Sequence, residues 1–366
     1  MSSPLPELSV VIPARDEEQA LPVLLEGLLA QEGVRLEVVV ADGGSQDRTA
    51  LAGESFAARG LAVRTLSAAP GRAHQLNAGA SRARGPDLLF LHADTELRDR
   101  RLLAAARARI EAERARRGTH RVAGHFGLRF ARSLPGSPRA DAAYYFYEAK
   151  ASLARPECVN GDQGLWLSPR YFEELGGFDE SLPYLEDARL ARRVFATGAW
   201  VTLPGRLVTS ARRFETEGLR ERQTLNALLR NFDVIGLGAF FEKAGQAYRE
   251  QSGAGRLRLA PFARLAHRAS LAGGWRRFLG YWWGTGGFVA ANAWQLAFAL
   301  DCRRNRRAGV EPGEGPTPWL SRYDRWGAPV VSSVPGRAAT TLLVAAWFFA
   351  LLRRDPPARR RGAGGF

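Results

Sequence analysis

The sequence predicts an α/β fold, a mainly parallel sheet flanked by helices, with a mainly helical appendage at the carboxyl-terminal end. Three observations predict it. Strand-like apolar runs alternate with helical patterns along the amino-terminal part; the run Leu88-Leu-Phe-Leu91 is apolar throughout; and the alternation stops near Phe232. Strand–helix alternation builds a parallel sheet, and strands covered on both faces read as continuous apolar segments.

The elements follow in order. Leu8-Ser-Val-Val-Ile-Pro13 reads as a first strand leading into Ala14-Arg-Asp-Glu-Glu18, and Leu36-Glu-Val-Val-Val-Ala41 as a second leading into Asp42-Gly-Gly-Ser-Gln-Asp-Arg-Thr49. Leu61-Ala-Val-Arg-Thr-Leu66 precedes Gly71-Arg-Ala-His-Gln-Leu-Asn-Ala-Gly79, and the run from Leu88 carries His92 and Asp94 to its carboxyl end at Thr95. Right-handed crossovers bring the carboxyl ends of parallel strands to one edge, where ligands of open α/β sheets bind. Glu17, Asp42, Arg72 and Asp94 are therefore expected at one site. Taken alone, Asp94 also suits a turn or a helix cap.

Further along, Gly161-Asp162-Gln163 precedes a short strand, Gly164-Leu-Trp-Leu167, and reads equally as an ordinary turn. Glu186-Asp187 opens the helical pattern that runs to Phe195. A helix start favours ionised carboxylates, and a general base needs an ionised carboxylate, so structure and chemistry both account for the pair. After the strand Trp200-Val-Thr-Leu203, the segment Ser210-Ala-Arg-Arg-Phe214 offers Arg212 and Arg213, whose guanidiniums match diphosphate oxygens.

Ser9-Val-Val-Ile-Pro-Ala-Arg-Asp-Glu17, Val40-Ala-Asp-Gly-Gly-Ser-Gln-Asp-Arg-Thr49, Leu89-Phe-Leu-His-Ala-Asp-Thr95 and Tyr184-Leu-Glu-Asp187 resemble family 2 glycosyltransferases of the GT-A fold. With Leu175-Gly-Gly-Phe-Asp179 and the motifs at 161–163 and 210–214, the chain is similar to a subgroup of short bacterial enzymes linked in part to arsenosugar biosynthesis. The resemblance covers residues 8 to 232. It implies a metal-dependent, inverting transfer of a sugar from a nucleotide-diphosphate sugar donor to an acceptor hydroxyl. By the same resemblance Pro13, Ala14, Glu17 and Asp42 hold base and ribose, Arg72 lies near the base or diphosphate, and Asp94 binds Mn²⁺ or Mg²⁺. Asp187, beside Glu186, is the implied catalytic base, and Asp162 and Gln163 lie on the acceptor side. Relatives carry an acid where this chain has His92, which joins the donor-side residues; imidazole suits Mn²⁺ better than Mg²⁺.

Two other readings share parts of this pattern. A sugar-phosphate nucleotidyltransferase uses a similar sheet but a glycine-rich loop after its first strand, and Pro13-Ala-Arg-Asp-Glu-Glu18 has no glycine. A non-catalytic membrane-associated protein with this fold would not need Asp42, Asp94 and Asp187.

The net charge is +15, and of 52 lysines and arginines only Lys150 and Lys243 are lysine. A basic chain raises the question of nucleic acid, but the runs Arg107 to Arg117 and Arg303 to Arg307 lack interleaved aromatics, so the arginine skew reads first as compositional bias, second as attraction to a membrane surface and only third as nucleic-acid binding. Residues 1–232 are expected to form the catalytic domain, 233–352 a helical, membrane-associated region, and 353–366 a basic disordered tail. Phe278 to Leu300 has no charged residue and is long enough to span a bilayer, but its four glycines with Asn292 and Gln295 equally suit a core helix or a re-entrant segment, and Ala338 to Leu352 looks too short. Basic residues flank both runs and give no orientation. Such an appendage points to an acceptor that is lipid-linked or lipidic. Two scattered cysteines and a short polar start fit a cytoplasmic protein at the inner face of the membrane.

Overall fold

The computed structural model of the protein describes residues 5–134, 136–181, 184–251 and 255–353. The tail expected to be disordered lies outside the described residues apart from Arg353. Two compact units are present. One takes in the chain up to Arg212 together with Cys302–Gly315; the other comprises Arg213–Asp301 and the chain from Pro316.

The first unit is built on β1 (Leu8–Ala14), β2 (Leu36–Asp42), β3 (Val63–Ser67), β4 (Leu88–Phe90), β5 (Thr95–Glu96), β6 (Val122–Ala131), β7 (Leu165–Leu167) and β8 (Ala199–Ser210). They form one sheet in the order β3-β2-β1-β4-β7-β6-β8-β5. The β3-β2-β1-β4 half is parallel throughout, and β6 runs parallel to β8. β7 is antiparallel to both its neighbours and β5 is antiparallel to β8, so the sheet is mixed.

Around the sheet lie α1 (Leu21–Leu29), α2 (Thr49–Ala58), α3 (Arg72–Ala80), α4 (Leu102–Arg117), α5 (Pro138–Lys150), α6 (Pro169–Glu174) and α7 (Glu186–Thr197). Val10, Val11 and Ile12 of β1 and Val38, Val39 and Val40 of β2 are fully buried, as strands covered on both faces must be. On α1, Leu21, Leu24, Leu25 and Leu28 are buried at helical spacing and form its inward stripe. The strand expected to reach Thr95 is shorter: β4 ends at Phe90, its antiparallel partner β7 pairs only Leu165–Leu167 with it, and His92–Asp94 leave the sheet in a turn. The arginines of α4 pair inside the protein: Arg107 with Glu7 and Glu111, Arg109, Arg116 and Arg117 with Glu113, and Arg114 with Asp87.

Under the site, α3 approaches β1 so closely that a Cβ at Gly79 would stand 2.3 Å from Val11 Cγ1. Val11 is fully buried on a strand and has nowhere to go. Gly79→Ala is therefore expected to cost about 1–3 kcal/mol of stability by overpacking, read as a lower denaturation midpoint in urea. Phe90, Phe172 and Phe178 close the core nearby, with ring centroids 4.9–5.4 Å apart.

In the second unit, Phe278–Leu300 does not make one long helix. It divides between helices Gly274–Ala291 and Trp294–Arg307 at Asn292, whose side-chain amide donates to Phe288 O at 2.9 Å. A short amide that bonds the helix backbone competes with the helix's own ladder. The longer exposed apolar helix is Val334–Arg353, whose 20 residues exceed the expected run because Val334–Arg337 add a turn. By length and composition alone it could cross a membrane, and only 6% of its apolar window is buried.

Candidate active site

The carboxyl ends of β1 and β2 are clamped by one buried side chain. Gln75 of α3 donates through Nε2 to Ala14 O at 2.8 Å and to Ala41 O at 2.9 Å. The loops that follow are laced together: Asp42 Oδ1 accepts from Ser45 N (2.9 Å) and Ser45 Oγ (2.6 Å), Asp16 N donates to Ser45 Oγ (3.0 Å), and Asp16 Oδ1 accepts from Gln46 N (2.8 Å). Glu17 N donates to Thr49 Oγ1 at 2.7 Å. Asp16 holds a left-handed backbone, φ 55°, to make this fit. Pro13, Ala14, Glu17 and Asp42 are thus neighbours. Sequence reasoning missed Asp16, Ser45, Thr49 and Gln75. An Asp followed three residues on by Ser is a recognisable turn signal, but nothing local marks Gln75.

The second cluster joins residues distant in sequence. Arg72 opens α3 and donates from Nη1 to Glu186 Oε1 at 3.0 Å, 114 positions away. Glu186 is 2% exposed while the arginine side chain keeps 45% of its surface. Asp187 follows it: Oδ2 accepts from Gly161 N at 2.6 Å and Oδ1 from Ala188 N at 2.6 Å. Leu185, just before the pair, has φ 69°, a left-handed conformation that a leucine adopts only under constraint and that aims the two acids into the site.

His92 closes this wall. A Cβ at Gly161 would lie 2.5 Å from His92 Nε2 and 3.4 Å from Asp187 Oδ2, so only glycine lets the imidazole and the carboxylate share that corner. His92, Asn160, Gly161, Glu186 and Asp187 line a pocket of about 380 Å³, with Phe90, Phe178 and Trp200 on its apolar side. Gly161→Ala should displace the turn and cut kcat by about a hundredfold, the scale of an ångström-level misplacement, with little change in melting temperature. Steady-state kinetics beside a thermal melt would check it.

Charge binds the site together. Burial, reinforced by the Asp187 charge, pushes the Glu186 carboxyl above the usual range even with Arg72 beside it. Burial, with Asp187 and Asp94 adding to it, raises Asp162 as well. Burial works against the Arg72 charge, and Glu186, Asp187 and Asp162 outweigh it, so its pKa rises. Asp94 is exposed in its turn. The structure therefore brings Arg72, Asp94, Asp162, Glu186 and Asp187 into one electrostatic neighbourhood.

A carboxyl raised on folding lends stability that is complete below its ordinary value, 3.8 for aspartate, and is lost as pH climbs through the folded value. Asp162→Asn should thus raise the melting temperature at neutral pH by about 2 °C and leave it unchanged near pH 3. A melting series across pH for both proteins decides this.

Gln163, expected on the acceptor side, is fully buried and faces inward. Its Nε2 donates to Ala151 O at 2.9 Å and its Oε1 accepts from Asn160 N at 2.7 Å, so it holds the turn that presents Asp162. Ala151 O also meets His125 Nε2 at 2.9 Å, while Trp200 Nε1 donates to His125 Nδ1. An indole only donates, so Nδ1 is the acceptor and Nε2 carries the proton. Burial lowers His125 to about 4, which keeps this link neutral. Arg212 and Arg213 open the exposed first turn of the helix Arg212–Glu217.

A mixed sheet that gathers acids at the carboxyl ends of its parallel strands, opposite an acid pair at a helix start, defines a GT-A domain. Residues 9–126, about a third of the chain, match the family model of glycosyl transferase family 2. Over 101 residues the chain is 37% identical to a 4,4'-diaponeurosporenoate glycosyltransferase of Staphylococcus haemolyticus; that stretch is 27% of this chain and 27% of that protein. The chain thus matches only about a quarter of that relative's length. Among solved structures it is similar to the Pyrobaculum calidifontis mannosyltransferase PcManGT in complex with GDP-Man and Mn²⁺, at TM-score 0.47 and 20% identity over 95% of this chain and 86% of that one. It is also similar to Staphylococcus aureus TarS 1-349, at TM-score 0.45 and 15% identity over 83% and 92%. At these values neither likeness bears on substrate or mechanism.

Proposed function

We propose that the protein is an inverting glycosyltransferase that moves a sugar from a nucleoside-diphosphate sugar to an acceptor hydroxyl. The observation that carries this reading is the cluster of Asp94, Asp162, Glu186 and Asp187 around Arg72 at the carboxyl edge of the sheet. In this reading Pro13, Ala14, Glu17 and Asp42 hold base and ribose, and Arg72 faces the diphosphate. Asp187 takes the proton from the acceptor oxygen as that oxygen bonds to the anomeric carbon and the bond to the diphosphate breaks on the opposite face. Its two hydrogen bonds occupy one site on each oxygen and leave further lone pairs for that proton.

Among the described residues no group of three His, Cys, Asp or Glu side chains is placed to hold a metal by itself. That fits a cation whose shell is completed by substrate phosphates and water, with Asp94 as the protein's share. When bound, Mn²⁺ or Mg²⁺ would neutralise charge gathering on the leaving diphosphate.

We also read the helical unit as a membrane-docking module for a lipidic or lipid-linked acceptor at the inner face of the cell membrane. The uncovered Val334–Arg353 helix supports this, as do four tryptophans, Trp275, Trp283, Trp319 and Trp326, each 38% exposed or more with an arginine over its ring. Tryptophan and arginine suit a headgroup interface.

Calorimetric titration of UDP, GDP and dTDP, with and without Mn²⁺, tests the reading. Tight Mn²⁺-dependent binding of one of them is expected; binding of none would overturn it.

A further inference from the structure

The helical unit couples a basic surface to an uncovered apolar one. Residues 255–301 and 316–353 carry ten arginines and two acids, Asp301 and Asp324. Asp301 is fully buried, and its carboxylate accepts from Trp319 N at 3.0 Å and Leu320 N at 2.8 Å, so it serves the fold. Arg276, Arg322, Arg325 and Arg337 stand over the rings of Trp275, Trp319, Trp326 and Trp283, 4.6–5.5 Å from the centroids, and among the described residues none of the four meets a carboxylate. The helix Val334–Arg353 packs along Gly274–Ala291: Thr340 Oγ1 donates to Gly286 O at 3.0 Å, and the Trp282 and Phe348 rings lie 5.3 Å apart. Its outer side is a continuous exposed stripe at helical spacing, Ala339, Leu342, Leu343, Ala346, Trp347 and Ala350, without a charge.

A contiguous exposed apolar stripe marks an interaction surface, and the excess of arginine around it identifies an anionic partner. A nucleic acid would satisfy the arginines and leave the stripe in water, whereas a lipid surface satisfies both. Arg337 and Arg353 bound the stripe sixteen residues apart, about 24 Å along a helix against a hydrocarbon core of ~30 Å, too short to cross without burying a charge. Given the membrane-docking reading above, on which this rests, we propose that the helical unit lies on the bilayer and does not cross it. The stripe of Val334–Arg353 is immersed in the plane of the interface, and the tryptophan-stacked arginines bind the phosphates of anionic phospholipids.

The full chain would be sedimented with vesicles of phosphatidylcholine alone and of phosphatidylcholine mixed with phosphatidylglycerol. Binding more than about a hundredfold tighter to the mixed vesicles is expected, and Arg276→Gln combined with Arg277→Gln, both exposed, should weaken it about thirtyfold with the melting temperature unchanged. Nitroxides placed singly by Ala339→Cys, Leu343→Cys, Ala346→Cys and Ala350→Cys would then report depth by electron paramagnetic resonance on the mixed vesicles; Cys158 and Cys302 are buried and stay unlabelled. One common shallow depth at all four positions is expected. Equal affinity for the two vesicle types would overturn the lipid class. Labels deepest at 343 and 346 and shallow at 339 and 350 would overturn the in-plane orientation, and labels that stay in water while the protein sediments would overturn the stripe as the contact. Binding to neither vesicle would overturn the docking reading itself.

Discussion

Asp187→Asn is expected to lower kcat by about a thousandfold and to leave nucleoside-diphosphate affinity unchanged. The amide oxygen can accept from Gly161 N while the bond from Ala188 N is lost, because the amide nitrogen only donates, and the amide cannot take a proton from an attacking hydroxyl. The fold should survive, because Asn is nearly isosteric and the neighbouring Arg72–Glu186 pair is untouched. Calorimetry with the preferred diphosphate, set beside a transfer assay, separates the two effects. Donor affinity lost together with turnover would place Asp187 in binding and remove it as the base.

The second large effect concerns Asp94. Asp94→Asn should abolish the Mn²⁺-dependent part of donor binding and reduce kcat/KM by about a hundredfold, since carboxylate is a strong ligand for a hard cation and a neutral amide oxygen a poor one. The same substitution removes one of the charges that raise Asp162, so the Asp162 carboxyl should move back toward its ordinary value. Equal donor affinity in wild type and variant, each measured with and without Mn²⁺, would remove Asp94 as the metal ligand. Because the binding readout is independent of turnover, it distinguishes a metal role from a purely catalytic one.

Much of the sheet-bearing unit was legible in the chain. Apolar runs set β1, β2 and β4, because burial on both faces leaves no room for alternation, and polar residues at their ends place Glu17, Asp42 and Asp94 at one edge. The helix beginning at Glu186 was equally plain. The appendage was less so. Composition left Phe278–Leu300 open as a spanning, core or re-entrant segment, and the structure divides it at Asn292, whose amide turns back on the backbone. The longer exposed helix lay instead at Val334–Arg353, where Pro335 and Gly336 obscured its first turn.

What the sequence by itself determined is the order of strands and loops and the chemical types at their ends, since periodicity and turn chemistry are local properties. Only the tertiary structure decided that Arg72 meets Glu186, that Gly161 leaves the corner where His92 and Asp187 meet, and that Gln163 turns inward to hold the site rather than face an acceptor. These are contacts across tens of residues whose energies depend on burial and on distances through space, and neither is written in the spacing of residues along the chain.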